Sequence, residues 1–98
     1  MEIEYACRTL DQLETDLNST GGFSKEIVRA FRKRVQAIRA AVDERDLYAV
    51  RGNRFEKLTG KRANQYSLRL NDQWRLIVEI RKAKPKNIII VKSIEDYH

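Results

Sequence analysis

The longest periodic stretch in the chain is helical. Ile27, Phe31, Val35, Ile38 and Val42 recur at three- and four-residue spacing, so they share one stripe of a helix turning about 100° per residue. The stripe predicts a helix over about residues 25–42. Lys25, Arg29, Arg32, Lys33 and Arg39 lie mostly on its other side. Ser24 is placed to cap the helix, with Phe23 before it as a staple residue. Upstream, Leu10, Leu13 and Leu17 predict a shorter helix capped by Thr9 or Asp11. Asn18-Ser19-Thr20-Gly21-Gly22 ends it. Residues 2–6 read as a short strand with Ile3 and Tyr5 on one side.

Beyond residue 42 the pattern weakens. Asp43-Glu44-Arg45-Asp46 is polar, and Leu47, Tyr48 and Val50 follow without a period; the segment reads as a helical tail plus loop. Gly52-Asn53 is a turn, residues 54–58 a short strand, and Gly60 a break. The period then becomes two. Tyr66, Leu68 and Leu70 alternate with Ser67 and Arg69. Trp74, Leu76, Val78 and Ile80 alternate with Arg75, Ile77, Glu79 and Arg81. A three-residue connection, Asn71-Asp72-Gln73, opposes residue 70 to 74, 68 to 76 and 66 to 78. All apolar side chains then share one face, whereas a two-residue loop scrambles the faces. Residues 82–86, with the single proline, form another turn. Residues 87–94, carrying Ile88, Ile89, Ile90 and Val91 in succession, read as a central strand buried on both faces.

Neither helix can bury its stripe alone. The order of elements therefore predicts one α+β domain over residues 1–98, with both helices on one face of a small, mostly antiparallel sheet. The other face is expected to be open, with Arg69 and Arg75 side by side on it. Two guanidinium groups on adjacent strands call either for an anion between them, which Arg suits through bidentate phosphate contact, or for carboxylates such as Glu79 or a loop acid to balance them.

At 98 residues the chain allows one modest core, which excludes a two-domain enzyme. Lys and Arg number 20 against 14 Asp and Glu, a formal charge of +6 that favours acidic partners. The basic back of the long helix is either an ordinary solvated face or part of such a contact surface. Cys7 is the single cysteine, and zinc spacings and cofactor-binding glycine patterns are absent from the sequence. The acidic start, Met1-Glu2-Ile3-Glu4, lacks the apolar run of a signal peptide. A cytoplasmic protein without a metal or cofactor is the expectation. The last three residues, Asp96-Tyr97-His98, are either a frayed end or a source of general acid–base groups. Metal-free cleavage of an RNA phosphodiester by its 2′-OH needs such groups together with positive charge around the phosphorane.

Gly60, the run Gln65-Tyr66-Ser67-Leu68-Arg69-Leu70-Asn71-Asp72-Gln73-Trp74-Arg75-Leu76, and the terminal Asp96-Tyr97-His98 together resemble the HigB-type (host inhibition of growth, or plasmid maintenance killer) toxins. These belong to the RelE/ParE superfamily of toxin–antitoxin systems. The likeness is most specific over about residues 53–76 and the final triplet, and with the element order it spans nearly the whole chain. The resemblance implies a curved sheet that cradles mRNA, and a ribosome-dependent, metal-independent endoribonuclease that arrests growth. It also implies a small antitoxin, usually with a helix-turn-helix domain, through which alone operator DNA is bound. The free toxin is expected to be a monomer.

Carried onto this chain, the family's catalytic positions match Asp96 and His98, with Tyr97 between them, and Arg75 after the hairpin tryptophan. Arg69 is expected to help Arg75 hold the phosphate. Glu56 and Thr59 stand where well-studied members carry a histidine and a lysine. Glu56 is then the candidate for the complementary acid–base role, and Lys57, Lys61 or Arg62 for the missing cation. Two further readings compete with the nuclease: a module that blocks translation without cutting, and a ParE-like inhibitor of DNA gyrase.

Overall fold

The computed structural model describes residues 1–62 and 64–96. Strand β1 (Glu2–Tyr5) leads into helices α1 (Arg8–Thr15) and α2 (Lys25–Ala40), then a short α3 (Glu44–Ala49). A 3₁₀ turn at Arg51–Asn53 precedes β2 (Glu56–Lys57), and a second at Gly60–Arg62 precedes β3 (Gln65–Arg69), β4 (Trp74–Arg81) and β5 (Ile88–Asp96). The five strands form one sheet in the order β1-β5-β4-β3-β2. β1 runs parallel to β5, and the other pairs are antiparallel. No helix among the described residues is long and apolar enough to cross a membrane.

The core forms where the helix stripe meets one face of the sheet. Ile27, Phe31, Val35 and Ile38 of α2, with Leu10 and Leu13 of α1, pack in one cluster with Leu68, Leu76, Val78, Ile89 and Val91. Ser24 caps α2 as expected, its Oγ accepting from the Ile27 N–H at 3.2 Å. The hairpin register is also the expected one: Leu68 faces Leu76, Tyr66 faces Val78, and Leu70 N–H donates to the Trp74 carbonyl at 3.0 Å. Asn71 closes the loop, its Oδ1 accepting from the N–H groups of Gln73 and Trp74.

Several expectations need correction. α2 stops at Ala40 because Ala41 turns extended, so Val42 leaves the stripe and is exposed. α1 begins after Cys7 without a side-chain cap, and Leu17 lies beyond its end, exposed. The polar stretch after residue 42 forms a true short helix because Asp43 caps it, accepting from the Arg45 N–H at 2.9 Å. β5 lies between β1 and β4, but only Ile89 and Val91 are fully buried; Ile88 and Ile90 are half-buried on the other side.

The sheet face away from the helices is not open at its centre. Ser67 and Ile77 are essentially inaccessible there, and Arg75 is only 9% exposed. Ile77 lies outside the main core cluster, so a second, smaller buried layer exists on this side. A bulge between β4 and β5 shapes that layer. Val78 pairs with Val91 and Ile77 with Ser93, which leaves Lys92 as the extra residue. The insertion resets the alternation along β5. Ile94 returns to the helix side, where it packs on the core, and Ser93 and Glu95 take the other side.

Candidate functional site

Cross-strand pairing gathers the polar groups of the helix-free face into two rows, since directly opposed residues point the same way. In the first row Arg69 opposes Arg75, and Arg75 opposes Glu95. In the second, Glu56 opposes Ser67, Ser67 opposes Ile77, and Ile77 opposes Ser93. Arg62 reaches across both β3 and β5. Its Nε donates to Gln65 Oε1 at 2.8 Å, and its Nη1 and Nη2 donate to Glu95 Oε1 and Oε2, each at 2.8 Å. Ser93 Oγ adds a third bond to the Glu95 carboxylate at 2.7 Å.

These contacts set the electrostatics. Arg62 holds the Glu95 carboxyl below the usual glutamate range, against the opposing effect of its partial burial, and Ser93 assists. Glu95 in turn raises the affinity of Arg62 for its proton. Of the two ways to balance Arg69, a loop acid is the one used: Asp72 pairs with it, while Glu79 lies 3.6 Å from the Lys92 ammonium. Arg34 of α2 comes close beneath Arg69. Its Nε donates to the Arg69 carbonyl at 2.8 Å and its Nη2 to the Gly52 carbonyl at 3.0 Å. Burial, and then the Arg69 charge, lower the affinity of Arg34 for its proton.

The structure therefore brings Arg62, Arg69, Arg75 and Glu56 to one side of the sheet. It separates the others. Lys57 pairs opposite Tyr66 and so faces away from Glu56, and Lys61 is exposed on the 3₁₀ turn. Asp96 pairs opposite Trp74 rather than Arg75, is exposed, and accepts from Gln73 Nε2 at 2.9 Å. Tyr97 and His98 lie outside the described residues. Sequence reasoning missed Glu95, Ser93 and Arg34. Ser93 read as the end of an apolar strand over residues 87–94 and Glu95 as lying just beyond it, and only the bulge turns them to this face. Arg34 carried no signal beyond being one more cation on a basic helix.

A family model for HigB, the RelE-like toxin of a type II toxin–antitoxin system, matches residues 4–98. The chain belongs to this family. Over 79 residues it is 33% identical to Toxin HigB-1 of Vibrio cholerae, a match that covers 81% of this chain and 83% of that toxin. Among solved structures, a YoeB/ParE toxin from Agrobacterium tumefaciens superposes over the full length of both chains with a TM-score of 0.62. At 13% identity that likeness concerns the fold alone. This HigB-like chain is thus the toxin of a type II pair, and its partner is an antitoxin. The expected α+β architecture, with helices against a mostly antiparallel sheet, is the one observed.

Proposed function

We propose that this toxin is a metal-independent endoribonuclease that cuts mRNA in the ribosomal decoding site and so inhibits translation. Family membership supports RNA cleavage, since RelE-like HigB toxins are endoribonucleases as a class. The observation that carries the reading is the Arg69–Arg75–Glu95 row on the helix-free face, with Arg62 bonded to Glu95 on the strand that ends at Asp96. In the proposed mechanism Arg75, helped by Arg69, binds the scissile phosphate and stabilises charge developing on the phosphorane. His98 transfers a proton near neutral pH, Asp96 accepts a hydrogen bond from it or shares the transfer, and Tyr97 orients the RNA by stacking or through its hydroxyl. Glu56 takes the complementary acid–base role. Fixed positive charge and a proton carrier are separate requirements, so neither group replaces the other. Lys57, Lys61 and Arg62 contribute phosphate contacts. The proposed resting partner is an antitoxin with a helix-turn-helix domain that alone contacts operator DNA. The free toxin is proposed to be a cytoplasmic monomer.

The test is single-turnover cleavage of mRNA on programmed ribosomes across pH. Removing one proton-transfer group costs about 10²–10⁴ in rate and removing one charge-stabilising donor about 10²–10³, so His98→Ala and Arg75→Ala should each fall by factors of that order while remaining folded. Glu56→Gln should slow cleavage. Parent rates in His98→Ala and Asp96→Ala would remove the triplet from the mechanism. Glu56 and Thr59, standing where well-studied members carry a histidine and a lysine, favour a second reading in which the toxin blocks the ribosome without cutting. Inhibited translation with intact mRNA would select it.

A further inference from the structure

The Arg62–Glu95 contact has the form of a phosphate complex made with an internal carboxylate. Both guanidinium Nη groups donate to the two carboxylate oxygens at 2.8 Å, and Ser93 Oγ donates to one of them at 2.7 Å. A fork of this geometry fits a phosphodiester's two non-bridging oxygens equally well. The contact also lies where the RNA is placed by the proposed function. Glu95 is the cross-strand neighbour of Arg75, and Arg75 is the neighbour of Arg69. The Arg62–Glu95 pair thus lies in the same cross-strand row as Arg75 and Arg69, while Asp72 and Glu79 are engaged elsewhere. The pair is accessible, with side chains 42% and 38% exposed, so an incoming anion can reach it. A partly exposed ion pair is also weak enough to exchange. By contrast Arg75, at 9% exposure, lies deeper in the same face.

We propose that Glu95 masks the toxin's RNA site by occupying a phosphate position on Arg62, and that an RNA phosphodiester displaces it by exchange. The proposal rests on the RNA reading above and adds the regulation of that site. Arg62 then has two roles. In the resting protein it neutralises Glu95. In the bound state it turns its fork to the backbone next to the phosphate held by Arg75. The displaced carboxylate keeps the Ser93 hydroxyl as a donor. The mask lowers the affinity of the face for stray anions and is removed only by a ligand that also engages its neighbours.

The experiment measures binding of a fluorescein-labelled, uncleavable 2′-O-methyl RNA hexamer by anisotropy at fixed salt. Glu95→Gln keeps the size of the side chain and removes its charge. It should tighten binding about two- to fivefold, the ratio corresponding to the usual strength of a partly exposed ion pair. Glu79→Gln removes the same charge from the same face at a carboxylate that pairs with Lys92 instead of Arg62, and should change binding less. Adding Arg62→Gln to Glu95→Gln should abolish the gain. Thermal melts confirm that each variant is folded, and Glu95→Ala serves as a second variant if the glutamine amide bonds to Arg62. Unchanged or weaker binding by both Glu95 variants overturns the mask. So does a gain equal to that of Glu79→Gln, a gain that persists without Arg62, or no binding of the hexamer by any of the proteins. Cleavage on programmed ribosomes, measured on the same samples, reports separately on the nuclease reading. A cleaving parent with an unresponsive Glu95→Gln sinks the mask alone. A non-cleaving parent that binds the hexamer more tightly as Glu95→Gln sinks the nuclease and keeps the mask.

Discussion

Single side chains hold the elements of this toxin in register. Arg34 ties α2 to the end of β3 and to the 3₁₀ turn at Gly52 with two main-chain hydrogen bonds from one guanidinium. Truncating it leaves two carbonyls without that donor, and Arg34→Ala should cost about 1–3 kcal/mol in urea denaturation. Arg34→Lys should recover little, because an ammonium group cannot reproduce the fork. A second network joins β1 to both helices. Tyr5 Oη donates to Glu14 Oε1 at 2.6 Å, and Arg39 donates to both oxygens of the same carboxylate. Arg39 is the main reason the Glu14 carboxyl lies below its ordinary range, with burial opposing and Tyr5 assisting. A depressed folded value stabilises the protein fully above the unfolded value, roughly pH 4.3, and the benefit disappears as pH falls through the folded value. Melting temperature should therefore drop more between pH 6 and pH 3 in the parent than in Glu14→Gln. Equal drops would show that the network adds no pH dependence.

At the level of elements, the cap and the hairpin were readable because their signals are local. Ser24 needs only the N–H three residues ahead, and the three-residue loop follows from where the apolar residues alternate. Element ends were not readable. Val42 fits the α2 stripe in every respect except that the backbone has already turned at Ala41. Gly21 shows the same dependence on neighbours. Its φ of +57° suits glycine, and a Cβ there would lie 2.9 Å from Thr9 Cγ2, a contact that exists only once α1 and its loop have folded together. The β5 bulge is the least local feature. Because Lys92 is the unpaired extra residue, deleting it should preserve the pairing of Ile77 with Ser93 and of Arg75 with Glu95. Circular dichroism should show a folded variant with cooperative melting. An unfolded one would mean that the curvature at the bulge, beyond the register, is required.

The whole molecule is small, with a Cα radius of gyration of 12.7 Å, near the roughly 13 Å usual for its length. It carries a formal charge of +6. The proposed RNA binding should therefore weaken steeply from low to high salt, through release of counterions from the backbone. A flat dependence in the anisotropy assay would contradict a phosphate-dominated interface. The sequence by itself determined the α+β class, the α2 stripe, the hairpin register and the pairing of Arg69 with Arg75. Those follow from periodicity, which is a property of neighbouring residues. Its motifs were specific enough to indicate the toxin family. Only the tertiary structure decided how the second sheet face is used. Arg62 lies 33 positions from Glu95, and no local pattern links them. The side on which Glu95 projects depends on one extra residue in β5, because a single-residue change in register exchanges the two faces of a strand. The expected open face instead holds a buried Arg75 and an Arg62–Glu95 ion pair.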